Sequence, residues 1–196
     1  PDATLCRDLG EGRLPVHEPG LAELLTDDAA RIRFTSEASD LGDCEVILIS
    51  ADVNTDNTDQ SDLSSIDSLI KDAAAAASDG STLVVLSQVP PGFTRKLSKT
   101  LKEDYGDRGI ELFCQVETLV FGNAVERAAN PERIIVGCPD PASGPSVPYT
   151  GMLESFDCPV LTMGYESAEL AKISINMCLV SSVSVANTMA ELCEAV

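Results

Sequence analysis

The sequence predicts an α/β fold with a doubly wound sheet, followed by one long helix. Two observations support this prediction. Short apolar, β-branched runs alternate with helical patterns over the first 164 residues, which is typical of doubly wound α/β domains. Residues 166–196 then contain neither Pro nor Gly, so the helical pattern continues there without a break. The chain therefore changes character near Gly164.

Six apolar runs are predicted as strands, with one helical pattern before the first strand and two between later strands. The predicted strands are Ile32–Thr35, Glu45–Ala51, Thr82–Ser87, Ile110–Val116, Ile134–Gly137 and Val160–Met163. The predicted helices are Glu18–Leu25, Asp62–Ser78 and Phe93–Asp104. The segment Cys138–Tyr149 is rich in Pro and Gly, which predicts a loop.

The long C-terminal helix, predicted over Glu166–Val196, has apolar residues around most of its circumference. A helix of this kind must be covered by neighbouring elements or by a second subunit. We expect it to join this domain to another and to favour a homodimer. No run of 18 uncharged apolar residues exists in the sequence, so we predict no membrane span.

The charge balance argues against two classes of partner. The 196 residues include 13 Lys and Arg against 32 Asp and Glu, a formal net charge of −19. Such a chain repels phosphate backbones and anionic lipid surfaces. We therefore predict no binding to nucleic acid and none to membranes.

The seven cysteines are scattered, without a C-x-x-C pair. This pattern fits neither a disulfide framework nor a zinc site, and it favours a reducing cytoplasm. The acidic stretch Asp52–Asp62 begins like a calcium-binding loop, but Asn57 and Leu63 replace the Gly and Glu that such a loop needs. A polar loop is the better interpretation, and we predict no metal site.

Candidate chemistry lies where predicted strands end, since ligands bind beyond the carboxyl ends of strands in open α/β sheets. Three such ends are polar: Ala51–Asn57, Ser87–Thr94 and Val116–Ala124. Glu117 ends an apolar strand, where it serves either as a base or as a surface or capping residue.

Lys172 and Asn176 share one face of the long helix, one turn apart, in apolar surroundings. Lys172 either reaches out to solvent along this surface or points into a site.

Several segments of the chain form a recognisable combination. They are residues 12–21 (GRLPVHEPGL), 32–36 (IRFTS), 53–55 (VNT), 87–92 (SQVPPG), 117–124 (ETLVFGNA), 130–137 (NPERIIVG) and 167–176 (SAELAKISIN). Taken together, these segments resemble the UDP-glucose/GDP-mannose dehydrogenase family, the NAD-dependent nucleotide-sugar 6-dehydrogenases. The resemblance covers nearly all of the chain.

The resemblance implies oxidation of a sugar CH2OH to a carboxylate by two successive hydride transfers, through a thioester on a cysteine. It implies that Glu117, Lys172, Asn176 and Gln88 are catalytic, with Glu117 assisting water and proton transfer and Lys172 stabilising an oxyanion. NAD-binding residues would be Val53, Asn54, Thr55, Ser87 and Gln88. A nucleotide sugar, UDP-glucose or similar, would contact Glu117, Thr118, Leu119, Lys172 and Asn176.

The resemblance also implies that parts of the family pattern are missing. The first βαβ unit with its G-x-G-x-x-G turn should precede Pro1, and the catalytic cysteine should follow Val196. We therefore expect a fragment: residues 1–163 as the later part of a Rossmann-like NAD-binding domain, and 164–196 as the central helix of a dimerisation domain. We expect this chain alone to be inactive.

The missing unit predicts a gap in the sheet. In the classical strand order the strand at Ile32–Thr35 has no neighbour linking it to the strand at Glu45–Ala51. We predict that these two strands do not pair, and that the edge at Glu45–Ala51 is exposed or filled by another chain.

Several residues depart from the family pattern. Gln88 replaces the usual threonine, Asp56 replaces a proline, and Val120 and Phe121 replace a polar or charged pair. Two other functions stay open: a β-hydroxyacid or 6-phosphogluconate-type dehydrogenase, whose central helix also presents K-x-x-x-N, and a non-catalytic acidic interaction domain.

Overall fold

The computed structural model describes residues 2–54 and 61–195, and it confirms an α/β fold built on one five-stranded sheet. The strands are β1 Val46–Ile49, β2 Thr82–Val85, β3 Glu111–Val116, β4 Ile134–Cys138 and β5 Val160–Gly164. The helices are α1 Ala3–Gly10, α2 Leu21–Asp27, α3 Ser64–Ala76, α4 Phe93–Tyr105, α5 Ala124–Ala129, α6 Val147–Leu153 and α7 Tyr165–Ala195.

The strands follow one another across the sheet in chain order, from β1 to β5. The first three strands are parallel, β4 runs antiparallel to β3, and β5 is parallel to β4. Helices α3 and α4 make the crossovers between the parallel strands. The carboxyl ends of β1, β2 and β3 therefore lie side by side at one end of the strands. The sequence predicts the candidate catalytic residues at this end.

Five of the six predicted strands are present, and the prediction for Ile32–Thr35 was wrong. Those residues have no strand pairing in the part of the chain that the structure describes. A strand needs a hydrogen-bonded neighbour, and the only partner of β1 among the described residues is β2. The predicted lack of pairing between these two segments is confirmed. Among the described residues, no strand pairs with the outer edge of β1, and on one face of this strand Leu48 is 48% exposed.

The three predicted helices are found with adjusted ends. Helix α2 begins at Leu21 because Gly20, with a φ of +81°, turns the chain in the left-handed conformation just before it. Helix α3 begins two residues after Asp62, whose carboxylate accepts the N–H of Ser64 at 3.0 Å. Helix α4 matches its prediction to within one residue.

The loop predicted over Cys138–Tyr149 is shorter than expected. Cys138 is the last residue of β4, and α6 begins at Val147 with Pro148 in its first turn. Proline is well tolerated there because the N–H that it lacks has no partner within the helix. The Pro content of this segment thus indicated a helix start as well as a loop.

Two apolar clusters fill the two faces of the sheet. One cluster contains the buried faces of α3, α4 and the first turns of α7, and the other contains α6. Tyr165 and Ala168 join α7 to the first cluster, and the Tyr165 hydroxyl donates to the carbonyl of Leu112 in β3 at 2.5 Å. The start of α7 is therefore fixed directly beside β3.

The predicted long helix is confirmed as the 31-residue α7, but only its first turns are packed. From Ile175 onward its apolar side chains are exposed, as at Leu179 and Val183. By length and composition alone this helix could cross a membrane. A helix that a partner protein covers has the same length and composition.

An ion pair also holds the start of α7 against α4. Arg95 Nε donates to Glu166 at 2.6 Å, and the Arg95 side chain lies over the Tyr165 ring at 5.0 Å. The hydrogen bond from Arg95 lowers the pKa of Glu166 from 4.5 to about 2.

Replacing Glu166 with Gln is expected to give a pH-dependent loss of stability. The pKa of Glu166 is lower in the native state than in the unfolded state. Its contribution to the free energy of unfolding is therefore complete above about pH 5 and disappears as pH falls from about 4.5 to about 2. Because both side chains are more than a third exposed, the effect on the free energy of unfolding should stay below about 1 kcal/mol. Urea unfolding of both proteins across this pH range measures it, and a difference that persists below pH 2 would contradict it.

Candidate active site

Lys172 and Glu117 meet at the carboxyl end of β3. The Lys172 Nζ donates to the main-chain carbonyl of Glu117, across 55 positions of sequence. Both residues are partly buried. Burial lowers the pKa of Lys172, and the negative charge of Glu117 opposes this shift. The partly buried Lys172 side chain therefore turns toward the carboxyl end of β3.

Asn176 brings in the loop after β2. Its Nδ2 donates to Oε1 of Gln88 at 2.8 Å. Because Asn176 lies one turn beyond Lys172 on α7, the two side chains bridge the ends of β2 and β3 from the same helix face. All four residues predicted to be catalytic thus lie in one cluster.

A small recess lies beside Lys172. It measures about 10 Å³ and is lined by residues from β2, β3, α7 and the loop after β2, among them Ser87, Gln88, Gln115, Glu169 and Lys172. A space of this size holds about one water molecule, and a polar lining supplies the hydrogen bonds that such a water needs.

The predicted NAD-binding residues extend from this cluster toward β1. The Ser87 hydroxyl donates to the carbonyl of Ala51 at 2.5 Å, which joins the segments that follow β1 and β2. Val53 is partly buried and Asn54 is exposed in the segment after β1. Thr55 lies outside the described residues. The described residues that were predicted to bind NAD therefore lie at neighbouring strand ends, as residues that bind one cofactor must.

The predicted substrate-binding backbone forms an exposed loop after Glu117. The Thr118 N–H donates to the Glu117 carboxylate at 2.8 Å. Leu119, Val120 and Phe121 are 44%, 55% and 90% exposed. The loop thus presents main-chain groups and an apolar tip beside the Lys172 cluster.

Two carboxylates that support these loops received no role from the sequence. Glu18 and Glu169 are only 8% and 4% exposed, and each binds main-chain N–H groups of a loop that leads into a helix. Buried carboxylates need such donors. In the sequence, these two glutamates are marked only by lying within segments 12–21 and 167–176, which resemble the family, because the N–H groups that they bind are far away in the chain.

None of the seven cysteines pairs with another, and all are free thiols. Burial raises the pKa of Cys114 to about 12 and that of Cys138 to about 11. At neutral pH these two are protonated, so neither supplies a thiolate nucleophile. Within the described part of the chain, no group of three or more His, Cys, Asp or Glu could hold a metal ion.

Comparison with known proteins shows which family the sequence matches. Residues 2–150 match the family model described as "UDP-glucose/GDP-mannose dehydrogenase family, NAD binding domain". UDP-glucose 6-dehydrogenase of Pseudomonas aeruginosa is 30% identical over 194 residues, which cover 94% of this chain and 43% of that protein. UDP-glucose 6-dehydrogenase AglM of Haloferax volcanii is 26% identical, covering 98% of this chain and 47% of that protein.

Solved structures agree with the fold. A UDP-glucose dehydrogenase from Pyrobaculum islandicum matches with a TM-score of 0.82 and 25% identity, over 96% of this chain and 45% of that one. A GDP-mannose dehydrogenase from Pseudomonas aeruginosa matches with a TM-score of 0.84 and 22% identity, over 95% and 44%. The chain spans less than half the length of these relatives. The family match extends over most of its residues, and the chain therefore belongs to the UDP-glucose/GDP-mannose dehydrogenase family, of which it contains NAD-binding-domain sequence.

Proposed function

We propose that the gene product containing this chain is an NAD-dependent nucleotide-sugar 6-dehydrogenase. It oxidises the CH2OH group of a UDP-sugar, UDP-glucose or a close analogue, to a carboxylate. The observation that carries this proposal is the meeting of Lys172 and Asn176 of α7 with Glu117 and Gln88 at neighbouring strand ends.

Lys172 is suited to stabilise a developing oxyanion. Its ammonium has three N–H donors, and the Glu117 carbonyl engages one of them. Partial burial strengthens its interaction with a nearby negative charge, because the surroundings are less polar than water. A fixed cation of this kind stabilises the charge that forms on the substrate oxygen.

Glu117, Gln88 and Asn176 are suited to place and activate water. The Glu117 carboxylate already accepts one hydrogen bond from Thr118 and has further lone pairs for a water molecule. Gln88 lines the one-water recess and is oriented by Asn176. Hydrolysis of a thioester needs such a base and such a positioned water.

The described cofactor residues are proposed to hold part of NAD. Val53, Asn54, Ser87 and Gln88 lie at adjoining strand ends beside the Lys172 cluster, and Thr55 completes the proposed set. When bound, NAD accepts the hydride that leaves the substrate carbon. The phosphate-binding turn G-x-G-x-x-G does not occur in this sequence, so these residues account for only part of a dinucleotide site.

The loop of Thr118 and Leu119 is proposed to hold the nucleotide sugar through its main chain. Its exposed position beside Glu117 leaves these groups accessible. The exposed apolar side chains of α7 support the proposal of a homodimer. The free thiols are consistent with the proposed cytoplasmic location.

The cluster around Lys172 lacks a thiolate that could act as the nucleophile. Cys114 and Cys138 are protonated at neutral pH, and no other cysteine lines the recess beside Lys172. We therefore propose that this chain alone does not turn over.

The test is an assay of NADH formation by the full gene product with UDP-glucose and other nucleotide sugars. We expect two NADH per sugar, because the alcohol is oxidised twice, and no NADH from the 196-residue chain alone. Formation of one NADH from a β-hydroxyacid, with none from any nucleotide sugar, would overturn the proposal in favour of the hydroxyacid alternative. Absence of activity and of nucleotide binding by calorimetry would favour an interaction domain.

A further inference from the structure

The loop after β2 is held by a carboxylate from α7. Glu169 Oε2 accepts the N–H of Gly92 at 2.6 Å, and its Oε1 accepts the N–H of Thr94 at 2.8 Å. Gly92 has a φ of +94° and directly precedes α4. The contact joins segments 75 to 77 positions apart.

The loop after β3 is held in the same way from the N-terminal segment. Glu18 Oε2 accepts the N–H of Gly122 at 2.8 Å, and its Oε1 accepts the N–H of Ala124 at 2.7 Å. Gly122 has a φ of +85°. Each carboxylate therefore binds a left-handed glycine and the residue two positions later, where a helix begins.

These two contacts lie next to the candidate catalytic groups. Glu169 is one helical turn before Lys172, and the loop that it binds carries Gln88 four residues before Gly92. The same loop therefore contacts α7 twice, through Glu169 at Gly92 and Thr94 and through Asn176 at Gln88. Glu18 fixes the far end of the loop that begins at Glu117.

We propose that Glu169 and Glu18 are positioning residues, each of which holds one loop of the active site. Glu169 aligns Gln88 with Lys172 and Asn176, and Glu18 holds the Thr118–Leu119 backbone in its substrate-binding shape. The kinetic part of this proposal rests on the proposed function. The structural part does not, because it concerns only the order of two loops.

Buried charge explains why carboxylates serve here. Each oxygen of these two buried side chains accepts one N–H, so both negative oxygens have a hydrogen-bond donor. The glutamine amide has the same shape but only one acceptor oxygen, and its NH2 group would face the second N–H. A Glu→Gln substitution therefore breaks one contact with little change in volume.

The experiment is hydrogen–deuterium exchange on the full gene product, with Glu169→Gln and Glu18→Gln. We expect amides of residues 88–94 to exchange about 10-fold faster or more in E169Q, and those of residues 117–124 to do so in E18Q, because each loses a charge-assisted hydrogen bond. Each variant should leave the other segment unchanged. Two exposed glutamates serve as matched controls: E191Q, on the distal part of α7, and E23Q, near Glu18 on α2.

Kinetics separate positioning from general stabilisation. In E169Q we expect kcat to fall about 10-fold with little change in KM, because the catalytic groups are misaligned. In E18Q we expect KM for the nucleotide sugar to rise about 10-fold with little change in kcat, because ground-state and transition-state binding weaken alike. The Asp variants E169D and E18D keep the charge and should show smaller effects in the same segments.

Faster exchange throughout the chain in both Gln variants, with no selective segment, would overturn the proposal and indicate a purely structural role. Unaltered exchange in both segments would overturn it as well. If the Gln variants do not fold, the Asp variants decide by the same criterion. Segment-selective exchange in a gene product that oxidises no nucleotide sugar would support the positioning role and reject the proposed function.

Discussion

Replacing Lys172 with Ala is expected to lower kcat of the full gene product by about 10²–10³-fold, the usual effect of removing one donor to an oxyanion. The lost ammonium is the one cation among the residues lining the recess between β2 and β3. Steady-state NADH formation measures the effect. Added ethylamine should restore part of kcat, because a small ammonium can occupy the space that the side chain leaves.

The control for this experiment is Lys99→Ala, which removes an exposed lysine from α4 and should leave kcat unchanged. The pH profile supplies a second check. Burial lowers the pKa of Lys172 below its ordinary 10.5, so the rate should decline on the alkaline side before an ordinary lysine titrates. An unchanged kcat in K172A would remove Lys172 from the proposed chemistry.

Replacing Gly137 with Ala is expected to lower the free energy of unfolding by about 1–3 kcal/mol, the range for an overpacked core. An added Cβ would overlap the Sγ of Cys114, and it would lie 2.9 Å from the Cβ of Ala168 and 3.3 Å from the Cα of Tyr165. The backbone of α7 cannot retreat from β4 without disturbing the buried Tyr165. Urea unfolding of the 196-residue chain measures the change.

The matched control is Gly151→Ala in α6. A Cβ at that position meets nothing within 4 Å, and alanine favours helix over glycine by up to about 1 kcal/mol. G151A should therefore be neutral or stabilising. Equal losses in G137A and G151A would show that the contact between β4 and α7 has room for the added methyl group.

The sequence predicted the sheet best where strands are buried on both faces. The run TLVV of β2 is wholly buried, and such continuous apolar runs are typical of inner parallel strands. The prediction failed at Ile32–Thr35, where an apolar, β-branched run has no strand beside it among the described residues. Composition indicates that a segment can form a strand, whereas pairing depends on residues far away in the chain.

The candidate site also contains features that the sequence could predict and others that it could not. Lys172 and Asn176 share a helix face because their spacing is local, so the sequence could predict it. Their meeting with Glu117 and Gln88 was inferred from resemblance, because it depends on packing across 55 and 88 positions. The two supporting carboxylates were missed because their donors are main-chain groups, which leave no mark in the sequence.

The anchoring of α7 at one end makes it a lever. Its 31 residues extend about 46 Å at 1.5 Å per residue, and only the first turns are held by the sheet and by α4. A tilt of about 5° at the anchored end moves the far end by about 4 Å, given that length. Conversely, a protein surface that binds the distal turns of α7 moves Lys172 and Asn176 over a much smaller distance, because these two residues lie near the anchored end of the helix.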